Sequence, residues 1–349
     1  MKVKIIGAGS IGNHHAKACR TMGWDVDVFD NNPEALLRMR NEIYPQRYGE
    51  WDKKIGLFTG SEISKPKGGY DIIMIDTPPD VRMGLAIEAL KERPRLLHLE
   101  KPLCTPAMNG LLTFLEEHEK EFGVAEFGNC LLTVGYNHAV SKSIQKVVEI
   151  LQSGVIGNPI TIDVEFREHW EGIFKAHPWL NGPEDSYLGD WARGGGAGGE
   201  HSHALHLWLY LANVAQFGAV REVKPMFNIV NKYDRVAAFN IKTSLDNIGR
   251  VIQDVVTKPP RKWARIQGEK GYIEWHCNGA PKGGDIVTQE FSTGKIIDII
   301  FPKTRQDDFL WLIQHYDDLL KGRSNYKDSP LRIDYGIQVM NILSKAYFG

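Results

Sequence analysis

Short apolar segments alternate with helical segments over residues 1–125 of the chain. Apolar runs typical of strands occupy residues 3–6, 25–29, 70–75 and 95–99. Helical patterns follow, reaching about Met22 after the first run and then covering 33–40 and 80–91. The β-branched run at 70–75 is typical of a strand that is buried on both faces. This alternation predicts an α/β fold with a parallel sheet and right-handed crossovers.

From about residue 131 onwards, β-rich segments dominate the pattern. A strand is predicted at 131–136, and an amphipathic helix at 141–153. Later strands are predicted at 160–168, 226–230, 236–243, 248–257, 263–266, 271–276 and 295–300, and closing helices at 309–322 and 332–347. Few helices separate these strands, which favours a mostly antiparallel sheet. We therefore expect a Rossmann domain over 1–127 and an α+β domain over 128–349.

Composition and charge narrow the possible functions. A chain of 349 residues is long for a single core, and its net charge of −1 provides no basic field for nucleic acid or an anionic membrane. No apolar run approaches the roughly 18 residues that span a bilayer, and glycines interrupt the N-terminal apolar run too early for a signal peptide. The scattered cysteines are Cys19, Cys104, Cys130 and Cys277. They form no Cys-x-x-Cys pair, so a cytoplasmic location is expected.

The first predicted strand runs directly into a Gly-x-Gly-x-x-Gly pattern formed by Gly7, Ala8, Gly9, Ser10, Ile11 and Gly12. Gly7 permits the tight turn, Gly9 lets the backbone approach a pyrophosphate, and Gly12 allows close packing of helix on strand. Asp30 ends the second strand, where a carboxylate can accept hydrogen bonds from an adenosine ribose and repel a 2′-phosphate. The pattern favours NAD over NADP. The alternative is a structural turn in which Asp30 caps the next helix.

Glu100, Lys101 and Pro102 follow the strand predicted at 95–99. Ligands of open α/β sheets bind at the carboxyl ends of the strands. A lysine placed there can exchange a proton with a substrate oxygen while hydride moves. The alternative is a surface lysine in a turn that is set by Pro102.

With these motifs the sequence resembles the Gfo/Idh/MocA oxidoreductase family along essentially its whole length. The resemblance rests on motifs that keep the family's order: Gly7–Gly12 with His15, Thr77-Pro78-Pro79, Glu100-Lys101-Pro102, Gly135-Tyr136-Asn137-His138, Gly194-Gly195-Gly196 and Gln267-Gly268-Glu269-Lys270-Gly271. It implies that Lys101 is catalytic and that Thr77, Pro78, Glu100 and Lys101 itself lie at the cofactor. It also implies a large open sheet that covers the nicotinamide, and a homodimer or homotetramer.

The same resemblance places a general base in the histidine-rich segment 200–206. Many family members carry Asp-x-x-x-His there, but that Asp position falls on Gly199 in this chain. The segment resembles an Asp-x-Ser-His variant with Glu in place of Asp, which implies His203 as the base and Glu200 as the group that orients it. The spacing predicts that Glu200, His203 and His206 share one helical face. Such a face could instead hold zinc or iron, but the family's chemistry needs no metal, and none is expected.

The segment 166–193 is rich in side chains that suit a sugar or polyol. Flat aromatic faces beside charged groups match the apolar faces and polar edges of such substrates. The residues expected to contact substrate are Tyr136, Asn137, His138, Arg167, Trp170, Trp179, Tyr187 and His206. The alternative for the tryptophans is packing against the domain or a partner subunit.

These features predict an NAD-dependent oxidoreductase that acts on a secondary alcohol or ketone of a sugar, sugar nucleotide or cyclitol. Lys101 and His203 would handle the proton. One alternative is a lyase or glycosidase-type enzyme that keeps and recycles its NAD. Another is a non-catalytic regulator that binds NAD or a sugar, although the presence of Lys101 and a plausible base favours an enzyme.

Overall fold

A computed structural model of the chain describes residues 1–59, 68–123, 129–175, 177 and 179–349. They form two compact units, one of Met1–Gly135 with Phe309–Ile333 and one of Tyr136–Asp308 with Asp334–Gly349. The domain boundary predicted at 127/128 lies outside the described residues. Residues 131–135 of the strand predicted at 131–136 belong to the first unit, where the strand pairs with the preceding strand of the first sheet, and the segment 309–333 also belongs to this unit.

The first unit contains a six-stranded sheet in which all neighbouring strands are parallel. Its strands are β1 (Lys2–Ile6), β2 (Asp25–Asp30), β3 (Ile55–Thr59), β4 (Ile72–Ile75), β5 (Leu96–Leu99) and β6 (Leu131–Val134). Their order across the sheet is β3-β2-β1-β4-β5-β6. Every residue of β4 and β5 is buried, which explains why both strands are apolar throughout. The predicted parallel α/β domain is confirmed.

Helices connect these strands. They are α1 (Ser10–Thr21), α2 (Pro33–Arg38), α3 (Tyr44–Tyr48), α4 (Pro79–Leu90) and α5 (Leu111–Phe122), with a π-helical turn at Met39–Ile43 between α2 and α3. Asn32 caps α2, because its side-chain oxygen accepts a hydrogen bond from the amide of Glu34. Among the described residues, no helix is both long enough and apolar enough to cross a bilayer.

The second unit contains an eight-stranded sheet. Its strands are β7 (Pro159–Arg167), β8 (Val220–Val230), β9 (Tyr233–Thr243), β10 (Ile248–Asp254), β11 (Arg261–Gly268), β12 (Tyr272–His276), β13 (Asp285–Glu290) and β14 (Ile296–Phe301). They lie in the order β14-β13-β12-β11-β7-β10-β9-β8. The β7–β10 pair is parallel and the other neighbouring pairs are antiparallel. The predicted mostly antiparallel sheet is confirmed.

One face of this sheet is buried against helices. Ile162, Val164 and Phe166 alternate with half-buried polar residues along β7.

The other helices of the described residues are α6 (Lys142–Gln152), α7 (Trp170–Lys175), α8 (Gly196–Glu200), α9 (His203–Val214), α10 (Arg305–Leu320) and α11 (Ile333–Phe348). Short 3₁₀ turns occur at Asn137–Val140, Pro183–Asp185, Tyr187–Gly189, Trp191–Arg193 and Tyr326–Asp328.

Two strands were not predicted from the sequence, and β13 shows why. Its inward residues include Asp285, which is fully buried and therefore breaks the expected alternation of apolar and polar positions. The Asp285 carboxylate accepts hydrogen bonds from the Ser143 hydroxyl at 2.5 Å and the Asn278 amide at 2.9 Å. Lys303 lies 3.3 Å from it. The other missed strand, β3, has only five residues and includes a glycine.

Candidate functional site

The glycine loop between β1 and α1 has the geometry that its sequence predicts. Gly7 has φ +119°, and a Cβ there would lie 2.5 Å from the carbonyl oxygen of Asp76. A Cβ on Gly12 would lie 2.0 Å from the carbonyl oxygen of Gly7. Gly9, at the start of α1, faces open space. The loop thus needs glycine for its own packing at two positions and leaves room at the third, where a ligand could approach the helix N-terminus.

Asp30 at the end of β2 is held against this loop. One carboxylate oxygen accepts a hydrogen bond from the amide of Ala8 at 2.9 Å, and the other accepts one from the amide of Asn32 at 2.9 Å. Asn32, rather than Asp30, caps α2. A carboxylate has about four lone-pair sites. Asp30 therefore keeps acceptor capacity for ribose hydroxyl groups beside the loop.

Arg47 is a residue near the loop that sequence reasoning missed. Its guanidinium donates hydrogen bonds to the Ser10 hydroxyl at 2.9 Å and to the Ser10 carbonyl at 3.0 Å. These bonds place a cation at the first turn of α1. No sequence signal identified it, because Arg47 lies far along the chain on α3 and follows no recognised spacing.

Buried Arg82 on α4 joins the segments that follow β4 and β5. Its guanidinium donates hydrogen bonds to the carbonyl oxygens of Thr77, Glu100 and Pro102, and the residue is 1% exposed. The Thr77 hydroxyl is buried and has no hydrogen-bond partner among the described residues. Pro78 is exposed beside it. One guanidinium thus fixes both of the segments that were predicted to lie at the cofactor.

Glu100 and Lys101 follow directly after β5. Glu100 is 6% exposed, and one of its carboxylate oxygens accepts a hydrogen bond from the backbone amide of Lys101 at 2.9 Å. A Cβ on Gly135 would lie 2.4 Å from the other carboxylate oxygen, so glycine is required there. Lys101 itself is half-buried. The Glu100 carboxylate therefore braces the backbone of the residue predicted to be catalytic.

Two histidines and a second carboxylate surround Glu100. His15 Nδ1 lies 2.8 Å from Asp76 Oδ2, while His98 Nε2 lies 3.6 Å from Asp76 Oδ1 and 3.7 Å from Glu100 Oε1. Burial alone would raise the pKa of Glu100, but the nearby His98, His15 and Lys101 lower it to about 2. Burial lowers the pKa of His98, whereas the Asp76 carboxylate outweighs burial and raises the pKa of His15. Glu100 is therefore a carboxylate throughout the neutral range.

In the second unit, the His203 ring contacts three other aromatic rings. Its ring is stacked on Phe166 at 5.9 Å and meets His138 and Tyr136 edge-on at 5.0 and 5.5 Å between ring centroids. His138 is 4% exposed and Tyr136 is fully buried, while His203 is half-buried. The neighbouring rings fix the orientation of the His203 imidazole while part of it stays accessible.

Tyr136 and His206 form a stack beneath His203. Their ring centroids are 4.1 Å apart with an interplanar angle of 13°, and His206 also meets Tyr335 edge-on at 5.6 Å. His206 is 1% exposed and Asn137 is 5% exposed. Tyr136 therefore contacts the rings of both His203 and His206, and contact of Tyr136, Asn137 and His206 with substrate stays a prediction.

The histidine-rich segment is not one continuous helix. Glu200 is the last residue of α8 and His203 is the first residue of α9, with His201 and Ser202 in the turn between them. The single helical face expected to carry Glu200, His203 and His206 is therefore interrupted, because a turn of two residues separates Glu200 from His203. Among the described residues these three also do not form a set of converging metal ligands.

The glycines before this segment are required for packing inside the second unit. Gly196 has φ +71°, and a Cβ there would lie 2.0 Å from Asp234 Oδ1. The buried Asp234 carboxylate accepts hydrogen bonds from the Gly198 amide at 2.7 Å and the Tyr347 hydroxyl at 2.8 Å. Burial raises the pKa of Asp234 to about 6. The Asp234 carboxyl group thus ties α11 to the glycine segment in front of His203.

This buried carboxyl group predicts a pH-dependent stability. The Asp234 pKa is higher when folded, so its stabilising contribution is full at low pH and is lost as the pH rises from about 4 to about 6. Asp234→Asn keeps the polar contacts without the charge. The free energy of unfolding of Asp234→Asn should therefore rise relative to that of wild type over this pH range, by up to roughly 3 kcal/mol. Urea denaturation of both proteins at a series of pH values measures this difference.

A matched control is Asp246→Asn. Lys242 lowers the pKa of the exposed Asp246 carboxyl group, so this variant should lose stability relative to wild type as the pH rises. Equal pH dependence in wild type and Asp234→Asn would contradict the assignment.

The aromatic segment after β7 divides into packed and accessible residues. Arg167 donates a hydrogen bond to Asp254 at 2.5 Å, and Trp170 is 8% exposed against Tyr233, at 5.6 Å between centroids. Trp179 and Tyr187 are half-buried. The alternative of domain packing therefore applies to Trp170, while contact of Trp179 and Tyr187 with substrate stays a prediction.

Comparison with solved structures shows extended similarity of fold. An oxidoreductase from Agrobacterium radiobacter, solved with NAD+, L-tartaric acid and magnesium, matches with a TM-score of 0.75 and 18% identity over 99% of this chain and 95% of that chain. Levoglucosan dehydrogenase with NADH and L-sorbose matches with a TM-score of 0.74 and 16% identity, over 99% and 95%. The WlbA dehydrogenase from Bordetella pertussis with NADH and UDP-GlcNAcA matches with 0.69 and 18%, over 99% and 95%.

Sequence comparisons give no further assignment. No protein-family model matches this chain, and no curated protein matches it. The structural matches cover nearly the whole chain and include both sheets, although their identity is low. The chain therefore has the fold of these NAD-bound dehydrogenases, with one unit built on a parallel six-stranded sheet and one on a large, mostly antiparallel sheet.

Proposed function

We propose that this chain is an NAD-dependent oxidoreductase of the Gfo/Idh/MocA type. It transfers hydride between the nicotinamide and a secondary alcohol or ketone of a sugar, sugar nucleotide or cyclitol. One observation carries the proposal: Asp30 is hydrogen-bonded to the glycine loop, and the braced Glu100–Lys101 segment ends a strand of the same parallel sheet. The similar structures were solved with NAD+ or NADH together with hydroxylated small molecules, which supports this class of substrate.

The residues around the glycine loop fit a dinucleotide. Gly9 leaves open space at the N-terminus of α1, where backbone amides can donate to a pyrophosphate. Arg47, held on Ser10, adds a positive charge at the same turn. Asp30 accepts from the ribose hydroxyls. When bound, NAD supplies the hydride acceptor at its nicotinamide ring.

Lys101 and His203 are the proposed proton-handling groups. Lys101 would hold or move a proton at the substrate oxygen, while Glu100 fixes its backbone. His203 would take the alcohol proton, with its ring held by Phe166 and His138. Glu200, the last residue of α8, is separated from His203 by the turn at His201 and Ser202, and its role in orienting His203 stays a prediction.

Cofactor preference provides the first test. Because Asp30 accepts hydrogen bonds and is negatively charged beside the loop, NADH should bind more tightly than NADPH. Asp30→Ser combined with Asn31→Arg should narrow the difference, since the repulsive carboxylate is replaced and a cation is added. Fluorescence titration of both cofactors measures the affinities. Equal or reversed affinities in wild type would remove the proposed role of Asp30.

Turnover of a panel of sugars, sugar nucleotides and cyclitols, followed by NADH formation, tests the reaction. Reduction of NAD+ by at least one member supports the proposal. NAD that copurifies tightly and is recycled without net turnover would favour the lyase alternative. Ligand binding without any chemistry would favour the regulator.

We also propose a cytoplasmic homodimer or homotetramer. The four cysteines are free thiols, which fits a reducing compartment. The outward face of the eight-stranded sheet offers both ion pairs, such as Arg265 with Glu274 at 2.6 Å, and exposed apolar side chains, such as Ile296 and Ile300. Light scattering of the purified protein measures the assembly.

A further inference from the structure

A cluster of metal-ligating side chains is buried in the first unit, below the glycine loop. His15 comes from α1, His98 from β5, and Glu100 from the segment after β5. Among the described residues, these three are the ones whose ligand atoms all lie within 4.8 Å of one another. We propose that His15, His98 and Glu100 bind a divalent transition-metal ion, with zinc the best match to two imidazoles and a carboxylate.

The spacing is close to that of a coordinated ion. His98 Nε2 lies 3.7 Å from Glu100 Oε1 and 3.6 Å from Asp76 Oδ1. Two ligand atoms at about 2.0–2.1 Å from a tetrahedral zinc ion are about 3.4 Å apart. These edges therefore need to shorten by only a few tenths of an ångström. Asp76 Oδ1 lies beside this set, 3.6 Å from His98 Nε2, but is not one of the atoms that converge within 4.8 Å.

Each imidazole is oriented as a metal ligand normally is. His15 Nδ1 is 2.8 Å from Asp76 Oδ2, and His98 Nδ1 is 2.6 Å from the Tyr316 hydroxyl. The Nε2 atoms of both rings are buried and have no hydrogen-bond partner among the described residues. Metal-binding histidines usually hydrogen-bond through one ring nitrogen and coordinate through the other. Glu100 follows the same pattern, since Oε2 accepts from the Lys101 amide and Oε1 is turned towards His98.

The negative charge of two buried carboxylates also favours a bound cation. The side chains of Asp76 and Glu100 are 0% and 8% exposed, so two carboxylates share a site that is screened from water. Asp76 Oδ1 is also buried and has no hydrogen-bond partner among the described residues. Buried charges are stable when they are paired or when they coordinate metals. A divalent cation balances the charge of both carboxylates and engages the Nε2 atoms of His15 and His98, which have no other partner among the described residues.

The ion would be structural. It would join α1 to the segment that carries Lys101, and no step of the proposed hydride transfer requires it. The site is therefore independent of the proposed function, and each can fail without the other.

The test uses the full-length protein without a histidine tag. Elemental analysis should find about one zinc per chain, or titration of stripped protein with Zn²⁺ or Co²⁺ should show one site, with the visible bands of tetrahedral Co²⁺. His98→Leu should abolish this binding. Tyr316→Phe, which removes only the hydroxyl that holds His98, should weaken it about 10–100-fold.

Tyr326→Phe is the matched control, since the Tyr326 hydroxyl of the same unit donates to the Leu132 carbonyl and lies outside the cluster. It should bind metal like wild type. If His98→Leu does not fold, as judged by circular dichroism, the Tyr316→Phe comparison decides. The proposal is overturned if neither Zn²⁺ nor Co²⁺ binds stoichiometrically, or if binding survives His98→Leu. It is also overturned if Tyr316→Phe binds like the control, or if His203→Ala abolishes binding.

Discussion

Lys101→Ala should lower kcat by roughly 10²–10⁴-fold, the usual contribution of a positioned acid or base. The lysine follows β5 at the carboxyl edge of the parallel sheet, and the Glu100 carboxylate holds its backbone amide at 2.9 Å. Affinity for NADH should change little, because Lys101 is not assigned to the pyrophosphate or the ribose. Steady-state turnover on a substrate from the panel and NADH titration measure the two quantities separately.

One further variant separates proton transfer from positive charge alone, and a second is a control. Lys101→Arg keeps a positive charge but cannot release a proton near neutral pH, so it should remain far below wild type. Lys91→Ala removes an exposed lysine of the same unit that is paired with Glu88, and it should leave turnover unchanged. Near-normal turnover in Lys101→Ala would reduce Lys101 to the surface lysine of the alternative interpretation. Full activity in Lys101→Arg would assign it an electrostatic role.

The parts of the fold that the sequence predicted are those specified by short stretches of chain. The positive φ of Gly7 and the close approach of Gly12 to Gly7 arise within the loop itself, and the apolar runs of β4 and β5 reflect burial on both faces. Asp30 was predictable because it ends the strand next to β1, and the parallel sheet brings that end to the loop.

The parts that could not be predicted depend on residues distant in sequence. His15, Asp76 and His98 come from three separate elements, and their contacts exist only after the sheet is formed. Arg47 reaches Ser10 from α3 for the same reason. Periodicity also extended one helix across 200–206, because it does not register that His201 and Ser202 form a turn between α8 and α9.

Because His201 and Ser202 form a turn, helical spacing does not distinguish His203 from His201 as the catalytic base. As neighbours on one helix, His201 and His203 would point in nearly opposite directions. In the structure, exposure distinguishes them instead: His201 is 4% exposed, while His203 is half-buried and begins α9. Phe166 and His138 hold the His203 ring. A proton acceptor must reach its substrate, which favours His203 over the buried His201.

His203→Ala should therefore lower kcat by roughly 10²–10⁴-fold while NADH affinity is kept, since the residue is assigned to the substrate alone. Added imidazole should restore part of the activity, because the lost group is a base and the surrounding rings remain. His201→Gln should be much milder in kcat and should act mainly on thermal stability, since its side chain lies among buried groups. Turnover, imidazole rescue and melting temperature are measured on wild type, His203→Ala and His201→Gln. An inactive but folded His201→Gln beside a near-normal His203→Ala would move the base to His201 and overturn the choice of His203.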